Sequence, residues 1–104
     1  LIIEDSVITD YTVRLFDSGE KDFIVKNTTF EDGSTLRIIF ENAPSDRILF
    51  KNVIFKEHLL DDNGNELDDE GYKDLLDLCK DGTYFYVAPS DKWYYKSSAY
   101  FAGN

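Results

Sequence analysis

Cysteine is almost missing from this chain, with Cys79 the only one. A lone thiol cannot close an intramolecular disulfide, and it cannot supply the paired cysteines of a structural zinc site. That fits a reducing compartment, and a cytoplasmic location is the expectation. Histidine is as scarce, with His58 alone. A serine triad or a cysteine dyad would have to use it, and no Gly-x-Ser-x-Gly turn accompanies it. No phosphate-binding glycine loop occurs. No run of about 18 apolar residues is present, which excludes a membrane-spanning helix. Positive charge is short as well: 11 Lys and Arg stand against 21 acids, for a net charge of −10. Backbone contacts to nucleic acid need clustered cations, so direct nucleic-acid binding is not expected. The first residues, Leu1-Ile2-Ile3, include no methionine, so a processed start is left open.

What is present suffices for one compact domain. The 104 residues are 42% hydrophobic, with eight Phe and seven Tyr. A single domain spanning residues 1–104 of this length buries roughly two-thirds of its unfolded surface.

The first two-thirds of the chain reads as strands. Tyr11 to Phe16 alternates, and Asp17-Ser18-Gly19-Glu20 reads as a hairpin turn into Asp22 to Lys26. Glu31-Asp32-Gly33-Ser34 marks another turn before Leu36, Ile38 and Phe40. Asn42-Ala43-Pro44-Ser45 precedes a strand at Arg47 to Lys56. Two internal echoes occur. Arg37–Asn42 resembles Arg47–Asn52, and Lys26-Asn27-Thr28-Thr29-Phe30 resembles Lys51-Asn52-Val53-Ile54-Phe55. In the second pair the apolar phase slips at each asparagine. A β-bulge at Asn27 and at Asn52 absorbs that slip. Two or three copies are too few for a stacked pentapeptide solenoid.

Asp69 to Lys80 has helical spacing, with Tyr72, Leu75, Leu76 and Cys79 on one stripe. Asp68 suits the N-cap, and Leu67 suits a hydrophobic staple with Tyr72. Thr83 to Val87 and Lys92 to Lys96 read as strands around Ala88-Pro89-Ser90-Asp91, with a last strand at Ser98 to Phe101. The expected fold is α+β: a mainly antiparallel, curled sheet of about six or seven short strands with one amphipathic helix packed on it. Val13, Leu15, Phe23, Val25, Leu36, Ile38, Phe40, Ile48, Phe50, Val53 and Phe55 complete the expected core.

The acids are not spread evenly. Asp61, Asp62, Glu66, Asp68, Asp69, Glu70, Asp74 and Asp77 share one segment with Lys73 as its only base. Like charges at i and i+4, such as Glu70–Asp74 and Asp77–Asp81, repel by a few tenths of a kcal/mol. A basic partner meeting that face would explain their presence and speed association. Asp61, Asn63 and Asn65 invite a calcium loop, but Glu66 and Tyr72 stand where such a loop needs glycine and glutamate. No metal and no cofactor is therefore expected. Cys79 on the apolar stripe suits an inert buried thiol rather than a nucleophile for His58, so no catalytic residue is assigned.

Arg47-Ile48-Leu49-Phe50-Lys51-Asn52-Val53, within Leu36 to Phe55, resembles small bacterial immunity proteins of polymorphic toxin systems, in which a strand ending Phe-x-Gly/Asn-Val recurs. Val87-Ala88-Pro89-Ser90-Asp91-Lys92-Trp93 is similar to a segment of the same kind of domain. The likeness covers about a third of the chain. It implies a non-catalytic inhibitor that caps a cognate, often basic, toxin. No binding residues carry over, because those surfaces vary between pairs.

The functional expectation is an acidic, non-catalytic binding or inhibitor protein meeting a basic protein partner. Its expected contact residues are Asp61, Asp62, Glu66, Asp69, Glu70, Asp74 and Asp77, together with Trp93, Tyr94 and Tyr95. One alternative is a phage anti-defence inhibitor that imitates DNA charge. Another is a small-ligand or carbohydrate module using the C-terminal aromatics. A homodimer through edge strands or aromatics is compatible with each.

Overall fold

The structure, a computed structural model, describes residues 2–9, 12–15, 22–38 and 47–96, with the side chains of 12–15 and 35 excepted. The fold is α+β. Nine strands are described: β1 (Ile2–Glu4), β2 (Val7–Ile8), β3 (Thr12–Leu15), β4 (Phe23–Phe30), β5 (Thr35–Ile38), β6 (Ile48–Phe55), β7 (Leu60–Asp61), β8 (Tyr84–Val87) and β9 (Lys92–Tyr95). One helix, α1 (Asp69–Leu78), lies between β7 and β8.

The sheets are not mainly antiparallel. Sheet A has the order β1-β4-β6-β8-β9, with β2 also on β4, and sheet B has the order β3-β5-β7. Every described pairing between named strands is parallel except β8 with β9, and the isolated bridge between Leu60 and Glu66 is antiparallel. The chain passes from sheet A to sheet B and back, repeating after a little over twenty residues: Ile2 lies opposite Ile24, and Ile24 opposite Leu49. Thr12 lies opposite Thr35 and Arg37 opposite Leu60. Three such coils stack on one another. The expected hairpin from β3 to β4 does not form, because β3 belongs to sheet B and β4 to sheet A. The physical reason is that turn residues mark a change of direction without stating its angle. At Asp32-Gly33, with Gly33 at φ 90°, the chain turns a corner between sheets. Ser34 N–H closes that corner on Glu31 O at 3.1 Å.

The second echo stacks in register, with Lys26 opposite Lys51, Thr28 opposite Val53 and Phe30 opposite Phe55. The first does not, since Ile38 lies in sheet B and Ile48 in sheet A. The phase slip is real. Asn27 and Asn52 have φ of 50° and 55°, the left-handed region that asparagine tolerates better than most residues. Val25 points inward before Asn27, and Thr28 and Phe30 point inward after it. Against β8 the shift appears as an irregularity between Lys51 and Val53.

The core fills the space between the sheets. Phe50 meets Phe23, Phe55 and Phe85 edge-on, with centroids 6.1, 5.5 and 5.6 Å apart. Of the expected core residues, Val25, Leu36, Ile38, Ile48, Phe50, Val53, Phe55, Tyr72, Leu75 and Cys79 are buried, and Phe23 and Leu76 are partly buried against them. Phe30, Leu59, Leu67, Phe85, Val87 and Tyr94 join them. Phe40, the side chains of Val13 and Leu15, the strand at Ser98 to Phe101, and the turns at Asp17–Glu20 and Asn42–Ser45 lie outside the described residues.

Helix α1 starts as its sequence suggests. Asp68 caps it, its carboxylate accepting from Gly71 N–H at 2.8 Å. A methyl group on Gly71 would sit 3.1 Å from Leu67 Cδ2, so glycine there lets Leu67 fold over the first turn. The helix ends at Leu78, which leaves Lys80 and Asp81 beyond it. After it, Cys79 bridges to Ile48 and Lys80 N–H binds Ile48 O at 2.7 Å, guiding the chain into β8 beside β6. Buried Thr83 accepts Phe50 N–H at 3.2 Å where that pairing is irregular. Among the described residues no helix is long and apolar enough to cross a membrane.

Candidate functional site

The expected contact residues fall into three groups. The first is a closed turn. Asp61 ends β7, and one of its carboxylate oxygens accepts from the N–H groups of Asn63 and Asn65, both at 2.9 Å. Gly64, at φ 86°, donates to Asp61 O at 3.1 Å. The Asp61–Asn65 segment is thus a self-satisfied Asx turn. Among the described residues no three His, Cys, Asp or Glu side chains are grouped to hold a metal ion. Asp62 and Glu66 project from this turn, exposed.

The second group is a clamp between α1 and the β8–β9 hairpin. Asp69 receives Lys92 Nζ at 2.7 Å and the Tyr94 hydroxyl at 2.9 Å, with Lys73 Nζ at 3.4 Å. Hydrogen bonds from Lys92 and then Tyr94 hold the Asp69 carboxyl down at about 2, against desolvation, with a smaller contribution from Lys73. The same pair raises Lys92. Asp69 therefore joins two elements rather than offering a bare charge to a partner. Tyr94 faces inward. It is 5% exposed and stacks on Tyr72 (4.8 Å) and Phe85 (5.6 Å), so it is core.

The third group is what remains at the surface. Glu70, Asp74 and Asp77 are exposed on α1. Trp93 and Tyr95 are 43% and 44% exposed. These two alternate with Lys92 and Tyr94, so they lie on the hairpin face turned away from α1. Trp93 gathers there with Tyr84 (5.9 Å) and Tyr86 (5.3 Å). The Tyr86 hydroxyl donates to Asp91, which raises the phenol. Trp93 and Tyr95 thus face away from the helix that carries Glu70, Asp74 and Asp77.

His58 is tied to the fold. The Tyr72 hydroxyl accepts Leu59 N–H at 3.1 Å and is also hydrogen-bonded to His58 Nδ1, at 2.9 Å. Burial pushes the Tyr72 phenol far up. The His58 ring borders a groove of about 440 Å³ that Asp32, Glu57 and Glu66 also line. Cys79 is fully buried, its thiol donating to Leu75 O at 3.2 Å, and burial pushes it up to about 12. Histidine and cysteine have separate partners and form no nucleophile–base pair.

The Asp69 clamp carries a pH prediction. Its carboxyl ionises lower folded than unfolded, where a value near 4 is ordinary. Its stabilisation is therefore full above about pH 4 and disappears as pH falls from about 4 towards 2. Because the pair is half-exposed, the effect should shrink in high salt. Asp69→Asn should flatten the acid limb of the stability curve between those values. Equal slopes for both proteins in urea titrations would contradict the clamp.

Sequence reading found Asn27 and Asn52 but not their place in a row with Asp5, whose φ is 51°. The signal was available: Ile2-Ile3-Glu4-Asp5-Ser6-Val7 matches Ile24-Val25-Lys26-Asn27-Thr28-Thr29 in pattern. Compared with family models, curated proteins and solved structures, the chain gives no match.

Proposed function

We propose that the chain is a non-catalytic binding domain that meets a basic protein surface through Asp62, Glu66, Glu70, Asp74 and Asp77. One observation supports this most. The nearby cations Lys73 and Lys92 are both committed to Asp69, while Glu70, Asp74 and Asp77 stand exposed without an ion pair among the described residues. Among the described residues Lys96 reaches only the backbone carbonyl of Asp77, at 3.4 Å. Such an acidic face accelerates encounter with a cation-rich partner. An immunity-type inhibitor of a basic toxin and an imitator of nucleic-acid phosphates both use it, and the neighbouring genes separate the two.

A pull-down from the native host with mass spectrometry would supply the partner. The variant Glu70→Lys/Asp74→Lys/Asp77→Lys, which spares the Asp69 clamp, should then associate at least about tenfold more slowly at low salt. Its association should also be less salt-dependent. Unchanged association kinetics would sink the reading.

A second reading rests on the outward cluster of Tyr84, Tyr86, Trp93 and Tyr95, a stacking platform suited to a sugar or other small ligand. Tryptophan fluorescence titrated with a glycan panel tests it, and a silent panel counts against it.

A further inference from the structure

A polar row on the outward face of sheet A runs from the bend between β1 and β2 across β4 and β6. Asp5, Asn27 and Asn52 are all exposed and all left-handed. Asn52 Nδ2 donates to Asn27 Oδ1 at 3.0 Å, and Asn27 Nδ2 donates to Asp5 Oδ1 at 3.1 Å. The direction of these bonds is dictated chemically. An ionised carboxylate only accepts, so Asn27 must turn its NH2 towards Asp5. Its carbonyl oxygen is then left for Asn52, which must donate. One carboxylate thereby orients both amides.

The two ends of the row differ. At Asn52 it stops, because β6 and β8 change register there and no β8 residue stands opposite. At Asp5 it is open. Among the described residues no strand pairs with the outer side of β1 or β2. Ile2 and Val7, which lie in the outward rows flanking Asp5, are 65% and 67% exposed. Glu4, beside Asp5, is exposed too. An edge strand of this kind is a template for strand addition.

We infer that the β1–β2 edge receives a cationic extended strand of a partner protein. That strand pairs in parallel, with an asparagine opposite Asp5, a lysine or arginine opposite Glu4, and apolar side chains opposite Ile2 and Val7. Asparagine meets two needs at once. It donates to a carboxylate that has no proton to give, and it tolerates the left-handed backbone that each neighbouring coil adopts at this level. The cation answers the acidic pair Glu4 and Asp5 in a chain of net charge −10. This edge is separate from the acidic helix, so either site can fail without the other.

The chain's own β6 has the required pattern: Leu49, Lys51, Asn52 and Ile54 stand in the rows of Ile2, Glu4, Asp5 and Val7. A peptide of residues 47–56 is therefore a suitable probe for the whole chain. Amide exchange should slow in β1 and β2 on adding it. The same peptide carrying Asn52→Ala should bind about tenfold more weakly, as should the unchanged peptide towards Asp5→Ala, since a hydrogen bond to a charged group is lost. The peptide comparison leaves the protein untouched, so it stands even where Asp5→Ala disturbs the fold. Equal affinity of the two peptides would overturn the inference. So would protection appearing elsewhere, or a protein that already self-associates through β1 without peptide.

Discussion

Phe50→Ala should cost about 3–5 kcal/mol, the loss typical of removing a large aromatic from a closed core. Phe50 is fully buried and its ring touches those of Phe23, Phe55 and Phe85, which come from three different strands. No single neighbour can move in to fill the space. A domain of this size has about 5–15 kcal/mol of stability in total, so most of it would go. Urea unfolding monitored by circular dichroism reads the change. Phe50→Leu, which keeps much of the volume, should lose markedly less. Equal losses would mean that filling the space contributes nothing and that the ring contacts carry the whole effect.

Tyr72→Phe should destabilise the domain by about 1–3 kcal/mol while removing one oxygen and leaving no large cavity. That hydroxyl is the acceptor for Leu59 N–H, and Leu59 is 1% exposed. Without it, a buried donor has no partner and His58 Nδ1 loses its own. Amide exchange at Leu59 should accelerate selectively. A Phe variant as stable as the parent, with unchanged exchange at Leu59, would show that water replaces the hydroxyl without penalty.

Local readings survive folding where the physics is local. The cap at Asp68 and the stripe of Tyr72, Leu75 and Cys79 need only helix geometry, and both were readable. The slip at Asn27 and Asn52 was readable because inward positions must keep their parity around a left-handed residue. The direction of strand pairing was not. Alternation shows which side chains are inside, and it is the same for parallel and antiparallel neighbours. The β8–β9 hairpin was recovered because its four-residue connection leaves no room for a crossover.

The candidate site divides in the same way. The surplus of acid between Asp61 and Asp77, the single inert thiol and the absence of a calcium loop pattern were properties of the sequence by itself. Which of the surface acids are paired was decided only by tertiary structure. Lys92 lies 23 residues from Asp69 and reaches it because β9 folds back beside α1. Tyr94 and Trp93 are adjacent in sequence, yet one is core and the other is exposed, because α1 covers only one face of the hairpin. That the edge at Asp5 has no neighbouring strand among the described residues was invisible for the same reason. Whether a strand has a neighbour depends on where distant coils stack, and no local pattern carries that information.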